Sequence, residues 1–163
     1  MIKVLKFGGT SVGSAANMKK VAEIVRREQA RITVLSAMSG TTDSLVRISR
    51  AAASGDRNAI EEQLAMLTDK YTRCIEELLR ERKQQALARM NATFGLIRDE
   101  AAAFEEYESE RKIIAQGELL TSAIFTAYLQ ETGLKAECLY SPDFMVKDPG
   151  EKVDTERIGR ALA

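Results

Sequence analysis

The residues with the clearest potential for chemistry lie near the N-terminus, in the run Lys-Phe-Gly-Gly-Thr-Ser at 6–11. The lysine closes an apolar run, and the glycine pair allows a ligand to approach the backbone closely. A helix is expected after this turn, and the N–H groups and positive dipole end of a helix N-terminus favour anions. The pattern predicts a phosphate site in which Lys6 supplies a charge and Gly8 and Gly9 supply amide donors. A tight turn without a ligand is the alternative.

A second polar segment, Ser-Ala-Met-Ser-Gly-Thr-Thr-Asp at 36–43, follows another apolar run and precedes a helical pattern. The hydroxyls of Ser39, Thr41 and Thr42, together with the start of the helix, could hold a small anion such as a carboxylate. Ordinary N-capping by Thr41 or Thr42 would use the same residues. The spacing alone leaves both interpretations open.

A third segment, Gln-Gly-Glu-Leu-Leu-Thr-Ser at 116–122, contains a carboxylate within an apolar helical pattern. Glu118 shares a helix face with Ile114, Thr121 and Phe125, so we expect it to be partly buried. A buried carboxylate needs a cationic partner. That partner is either the ammonium group of a substrate or a lysine or arginine of the protein.

The elements around these segments predict a parallel sheet. Residues 2–6 and 31–37 read as strands, and the apolar spacing of 18–25 between them indicates a helix. Such a βαβ unit has parallel strands and a right-handed crossover. Both loops then lie at the carboxyl edge of the sheet, where ligands of open α/β sheets bind. A further helix is expected after residue 43, ending near Ser54 and Gly55.

The middle of the chain predicts a helical hairpin over 58–107. Two apolar stripes of helical spacing are separated by a charged break at 80–83. We interpret both stripes as packing surfaces. A helix over 110–131 with Gly133 at its end, a strand over 134–139 and a last helix capped by Asp154 complete the expected order.

The composition limits the kinds of catalytic and metal-binding site that the chain can form. The 163 residues include 24 basic and 24 acidic side chains and no histidine, which excludes Ser-His-Asp triads, His-ligated zinc and imidazole bases. Cys74 and Cys138 form no CxxC pair, so we expect free, buried thiols and a reducing cytoplasm. No segment suits a signal peptide or a membrane span.

The charges are unevenly distributed along the chain. Residues 1–60 hold 10 Lys/Arg and 4 Asp/Glu (+6), and residues 61–163 hold 14 Lys/Arg and 20 Asp/Glu (−6). The basic part favours an anionic ligand or forms solvated helix faces.

Taken together, the three segments resemble the aspartokinases of the amino acid kinase superfamily. Lys-Phe-Gly-Gly-Thr-Ser-Val at 6–12 is similar to the opening signature of that family. Val-Leu-Ser-Ala at 34–37 with Gly40, Thr42 and Asp43 resembles its second loop, although asparagine is commoner than aspartate at position 43. Gly117, Glu118 and Ser122 resemble its Gly-Glu-x-x-Ser helix. All three occur in order, so the resemblance covers essentially the whole chain.

The resemblance implies an α/β fold, a three-layer αβα sandwich of the carbamate kinase-like type, with a mainly parallel sheet and the 58–107 hairpin as an insertion. It implies ATP-dependent phosphorylation of the side-chain carboxylate of L-aspartate, with Mg²⁺ bridging the phosphates. Lys6, Phe7, Gly8 and Gly9 would bind ATP, and Lys6 would be catalytic as well. The substrate residues would be Thr42, Ser36 and Glu118, with Glu118 contacting the ammonium group. No protein ligand to a metal is implied.

The family's kinase domain extends beyond this chain. Residues 1–163 therefore correspond to its N-terminal portion, without the rest of the kinase domain and the regulatory ACT domains, and we expect the isolated segment to be inactive. In full-length form the family implies a homo-oligomer that binds neither nucleic acid nor membrane. Two alternatives stay open: another carboxylate or carbamate kinase of the superfamily, and a non-catalytic helical interaction module built on the hairpin.

Overall fold

Two short parallel strands form the sheet. The computed structural model describes residues 3–145 and 152–161. Strand β1 (Val4–Phe7) pairs in parallel with β2 (Ile32–Leu35), so that Val4 lies opposite Ile32 and Phe7 opposite Leu35. Helix α1 (Ala15–Glu28) connects them. The predicted parallel βαβ unit is confirmed, with shorter strands than expected; residue 2 of the first prediction lies outside the described residues.

The sheet buries only one of its faces. Leu5, Phe7 and Leu35 belong to or pack against the hydrophobic core. On the other face Val4, Ile32 and Val34 are 54%, 40% and 47% exposed. Side chains alternate across a strand, and this alternation is what the two four-residue strands show. Among the described residues, helices cover one side of the sheet and leave the other open.

Helix α1 has a side-chain cap at its start, and helix α2 (Thr41–Ser54) ends where the sequence predicts. The Ser14 hydroxyl accepts a hydrogen bond from the Asn17 N–H and so caps α1. Helix α2 ends at Gly55, whose φ of 72° places it in the left-handed region that favours glycine. The Gly55 N–H donates to carbonyls of the last turn.

The predicted hairpin is formed by α3 (Arg57–Leu78) and α4 (Lys83–Ala102). The two helices are antiparallel, since Glu61 pairs with Arg98 near one end and the Tyr71 ring meets Phe94 edge-on at 5.9 Å further along. Their apolar stripes are buried, as expected for packing surfaces. Helix α5 (Glu106–Glu131) packs against α2 and α4, and its buried face completes the core.

The segment after α5 departs from prediction. Gly133 follows α5 with a φ of 83°, but residues 134–139 form no strand. Leu134 and Ala136 pack against the core while Leu139 is 52% exposed, so the alternation is present without a neighbouring strand to supply hydrogen bonds. Cys138 lies in this segment and is exposed; the expectation that both thiols are buried holds only for Cys74.

Two short helices end the described chain, α6 (Ser141–Phe144) and α7 (Thr155–Ala161). The Asp154 carboxylate accepts from the Arg157 N–H at 2.9 Å, which confirms the predicted cap. Within residues 3–145 and 152–161, no helix is both long and apolar enough to cross a membrane.

Candidate functional site

The glycine-rich loop begins where β1 ends. The Ser11 N–H donates to the Gly8 carbonyl at 3.0 Å, forming a tight turn. Helix α1 begins only at Ala15, after a second turn closed by the Gly13 N–H on the Thr10 carbonyl. The sequence suggested a helix N-terminus directly behind the glycine pair, but the structure inserts these turns between the two.

The two glycines of this loop differ in what surrounds them. A Cβ at Gly9 would lie 2.7 Å from the Ala37 carbonyl oxygen and 3.3 Å from the Ser39 nitrogen, so only glycine permits this approach of the two loops. The Ser39 N–H donates to the Gly9 carbonyl at 3.1 Å. A Cβ at Gly8 would have no atom within 4 Å. Gly9 therefore packs against protein, whereas Gly8 faces open space.

Lys6 and Phe7 occupy the last positions of β1 with different exposure. Lys6 is exposed on the open face of the sheet, opposite Val34 in the register. Phe7 is half-buried against the core, and its carbonyl accepts from the Ser36 N–H at 3.1 Å. That hydrogen bond continues the strand pairing and places Ser36 beside the start of the glycine-rich loop.

The second loop enters α2 through Gly40, which has a φ of 77° and caps the helix without a side-chain hydrogen bond. Capping by Thr41 or Thr42, one of the two interpretations of the sequence, is therefore wrong. Thr41 is buried, and its hydroxyl lies 3.2 Å from the Tyr71 hydroxyl. Thr42 is exposed in the first turn of α2. Of the two threonines, Thr42 is the one that a ligand can reach.

A buried hydroxyl network holds this loop from behind. The Thr121 hydroxyl accepts from the Met38 N–H at 3.2 Å and donates to the Gly117 carbonyl at 2.8 Å. The Tyr71 hydroxyl lies 3.2 Å from both the Thr121 and the Thr41 hydroxyls. Burial raises the pKa of Tyr71, so the phenol stays protonated and can donate. Helices α3 and α5 thereby fix the backbone of the loop.

The network was missed in the sequence because Tyr71 and Thr121 fit the apolar stripes of their helices. Lys70 was also missed, although its Nζ donates to the Ser39 carbonyl and lies 3.5 Å from the Thr41 hydroxyl. The sequence does contain one signal for these residues. A tyrosine hydroxyl inside an apolar stripe needs a hydrogen-bond partner, and the residue before this tyrosine is a lysine.

Gly117 allows α5 to approach the second loop closely. A Cβ there would lie 3.0 Å from the Ala37 Cβ and 3.1 Å from side-chain carbons of Leu45 and Thr41. Because Gly117 faces the core, the next residue, Glu118, is rotated away and is exposed. The expected partial burial of Glu118 is therefore wrong.

Glu118 lines a groove of about 250 Å³ beside the edge of β2, together with Ser122 and Leu35. No ion pair of residues 3–145 and 152–161 involves Glu118 or Lys6. The carboxylate is thus available to a cation, and Lys6 to an anion.

Of the predicted residues, Lys6, Phe7, Gly8, Gly9 and Ser36 are brought together at the carboxyl ends of the two strands. Thr42 lies at the start of the helix that follows the second loop, and Glu118 lies in the neighbouring groove. The described residues contain no cluster of three or more acidic or thiol side chains able to hold a metal ion. The arrangement suits a ligand that carries both anionic and cationic groups.

The sequence pattern of the amino acid kinase family matches residues 1–163. The chain therefore belongs to the amino acid kinase family. This confirms the family inferred from the three segments.

Among curated proteins it is similar to aspartokinases. It is 30% identical over 146 residues to the aspartokinase of Chlamydia muridarum, an alignment that covers 89% of this chain and 31% of that protein. It is 32% identical over 142 residues to the chloroplastic aspartokinase 1 of Arabidopsis thaliana, covering 82% and 24%. The chain thus spans about a third or less of the length of these relatives.

Solved structures show the same fold. Escherichia coli aspartokinase III in complex with lysine and aspartate matches with a TM-score of 0.87 and 24% identity, covering 99% of this chain and 37% of that one. The same enzyme with aspartate and ADP matches with a TM-score of 0.82. The predicted α/β fold of the amino acid kinase type is confirmed.

Proposed function

We propose that this chain is the N-terminal portion of the kinase domain of an aspartokinase, with 58–107 as its helical hairpin. The complete enzyme would transfer the γ-phosphoryl group of ATP to the side-chain carboxylate of L-aspartate and form 4-phospho-L-aspartate. The observation that carries this proposal is the open space at Gly8 beside Lys6, which is exposed at the end of β1 and has no ion-pair partner among the described residues. Neither packing nor a positive φ explains glycine at that position, whereas the close approach of a phosphate does.

On the nucleotide side, Lys6, Phe7, Gly8 and Gly9 would hold the phosphates of ATP. Lys6 would carry the charge that stabilises the transferring phosphoryl group, because phosphoryl transfer depends mainly on positioning and electrostatics. Gly8 would allow the phosphates to reach the backbone. A neighbour of the same fold was solved with aspartate and ADP, which supports the use of a nucleotide by the complete enzyme.

The residues present also fit Mg²⁺. The ion usually keeps several waters and is held through substrate phosphates with few protein ligands, so the absence of an acidic cluster in the described residues is compatible with it. When bound with ATP, Mg²⁺ would neutralise phosphate charge.

On the acceptor side, the exposed hydroxyl of Thr42 and the neighbouring Ser36 would contact aspartate, and Glu118 would pair with its ammonium group. The side-chain carboxylate of aspartate has an ordinary pKa of about 3.9, so it is already ionised near neutral pH. The nucleophile therefore needs no general base, and the absence of histidine from these 163 residues is compatible with the reaction.

The remaining parts of the proposal follow from the family. The product would enter lysine, threonine and methionine biosynthesis in the cytoplasm. The full-length protein would contain the rest of the kinase domain and ACT domains and would be a homo-oligomer, and the isolated 163-residue segment would not turn over.

The test is an ADP-release assay of the full-length protein with aspartate, glutamate and carbamate as acceptors. We expect aspartate to be preferred. Lys6→Ala should lower kcat by about 100-fold or more, as the loss of one electrostatic contact in a transition state does. Lys3→Ala is the matched control, since Lys3 precedes the same strand but pairs with Glu28 at 2.9 Å. Preference for another acceptor, or full turnover in the Lys6 variant, would refute the assignment.

A further inference from the structure

Lys70, on α3 of the hairpin, reaches across to the second loop of the site. Its Nζ contacts the Ser39 carbonyl and lies 3.5 Å from the Thr41 hydroxyl. The side chain is half-buried, and no ion pair of the described residues includes it. Desolvation lowers the pKa of Lys70 because these neutral acceptors only partly replace water. A positive charge therefore lies against the loop, and no carboxylate of residues 3–145 and 152–161 pairs with it.

The turn that Lys70 contacts enters α2 without a side-chain cap of its own. Gly40 caps the helix without a side-chain hydrogen bond and with a φ of 77°. Ser39, whose carbonyl accepts from Lys70, also donates its N–H to the Gly9 carbonyl at 3.1 Å. Lys70 thus contacts the second loop directly, and Ser39 links that loop to the glycine-rich loop.

Consecutive residues of α3 hold this turn at two levels. Tyr71 contacts the Thr41 hydroxyl in the buried network, and Lys70 contacts the same hydroxyl and the preceding carbonyl nearer the surface. An ammonium group has three donors, so one remains after these two contacts. A lysine that merely satisfies a carbonyl exists elsewhere in the chain: Lys19 donates to the Glu77 carbonyl at 3.1 Å, away from the loops.

We propose that Lys70 is a positioning residue for the acceptor side of the site. It fixes the turn from Ser39 to Thr41, so that Thr42 and the first amides of α2 face the acceptor. Its uncompensated charge makes this place favourable for an anionic acceptor. The identity of the acceptor rests on the proposed function, whereas the contacts by which Lys70 fixes the turn are independent of that function.

The first experiment needs no turnover. Amide hydrogen exchange over residues 39–44 is measured in the unmodified protein and in Lys70→Met, Lys70→Arg and Lys19→Met. Exchange should accelerate about tenfold in Lys70→Met, as expected for the loss of roughly one hydrogen bond to a charged group. Lys70→Arg retains the charge and the donors, so its exchange rate should stay within about threefold of that of the unmodified protein. Lys19→Met should leave this segment unchanged.

The second experiment separates positioning from general stabilisation. In the full-length enzyme, Lys70→Met should raise the KM for aspartate about tenfold, leave the KM for MgATP within about twofold, and be largely rescued by Lys70→Arg. If Lys70→Met does not fold, Lys70→Gln is judged by the same criteria. If Lys70→Met shows the same exchange over residues 39–44 and the same KM for aspartate as Lys19→Met, the proposal is overturned. Absence of aspartate phosphorylation by the unmodified protein refutes the proposed function. The exchange result by itself then decides whether Lys70 holds the turn.

Discussion

The two glycines at the end of β1 show how adjacent identical residues can serve different purposes. Gly9 is required by the protein itself, because a Cβ would meet the Ala37 carbonyl oxygen at 2.7 Å. Gly8 has no such neighbour. A motif in the sequence presents both as one signature, and only the packing separates the structural glycine from the one that leaves room for a ligand.

This difference predicts opposite phenotypes for two alanine variants. Gly9→Ala should destabilise the fold by about 1–3 kcal/mol, the usual cost of forcing an extra methyl group into packed surroundings. Gly8→Ala should keep the thermal midpoint and weaken nucleotide binding in the full-length protein. Calorimetry and titration with ADP measure the two effects. Equal destabilisation by both variants would contradict the separation of roles.

The two thiols should differ in reactivity. Burial raises the pKa of Cys74 to about 11, and its side chain is buried, whereas Cys138 is exposed. Because the thiolate is the reactive form, a disulfide reagent at pH 8 should modify Cys138 rapidly and Cys74 only on unfolding. The measurement is the number of fast-reacting thiols, and Cys138→Ser should abolish the fast phase. A fast phase that survives in that variant would show that Cys74 is accessible.

At the scale of elements, Glu131 at the end of α5 fastens the turn of the hairpin. Its carboxylate accepts from the Arg80 N–H at 2.7 Å and from the Arg82 N–H at 3.1 Å. Desolvation raises the pKa of Glu131, but the backbone donors of Arg82 and Arg80 outweigh it, so that the pKa lies below its ordinary value. The side chain therefore acts like a cap supplied by a different helix.

Glu131→Gln replaces one of the two accepting oxygens by an NH₂ donor, and this should lower stability by about 1 kcal/mol, the typical effect of a lost capping hydrogen bond. That is a fall of about 2–4 °C in Tm for a chain of this size. Because the folded pKa is depressed, the contribution is present above the ordinary glutamate pKa and is lost as the pH falls through the lower folded value. Urea unfolding of both proteins near pH 7 and near pH 3 measures this. The difference between them should shrink at the lower pH; a constant difference would point to packing instead of charge.

Most of the helices could be predicted from sequence because they carry their own signals, although α6 was not predicted. The apolar spacing of α3 and α4, the end of α2 at Gly55 and the cap at Asp154 are local features. The strand predicted at 134–139 failed because strand formation depends on a partner that no local pattern reports. The predicted burial of Glu118 was wrong for a related reason: Gly117 faces the core through contacts with the second loop and α2, which lie far from it in the sequence.

For the whole molecule, the site is assembled from parts that the sequence separates widely. The motifs at 6–11, 36–43 and 116–122 contact one another in the fold, since Ser39 donates to the Gly9 carbonyl and Gly117 packs against Ala37. The sequence alone did not indicate that Lys70, Tyr71 and Thr121 tie the second loop to α3 and α5. Side chains that position a site follow no spacing rule, because they approach it from elements whose arrangement is decided by packing.

The sheet face that the described residues leave open leads to a prediction for the 163-residue chain alone. Val4, Ile32 and Val34 are exposed beside Lys6 on this face, and parallel sheets are normally covered on both faces. The chain also spans about a third or less of its relatives. The isolated chain should therefore self-associate with rising concentration above its 18.0 kDa monomer mass. Val34→Lys should restore the monomer, because a charge on this face costs desolvation in any contact.

Sedimentation over a concentration series measures this association. Met66→Lys is the matched control, since Met66 is 54% exposed on α3 and the substitution adds the same charge away from the sheet. It should leave the association unchanged, which ties the effect to the sheet and not to net charge. A wild-type chain that stays monomeric at all concentrations would mean that the open face is tolerated in water. Equal dissociation by both variants would mean that general charge repulsion, and not the face formed by Val4, Ile32 and Val34, controls the contact.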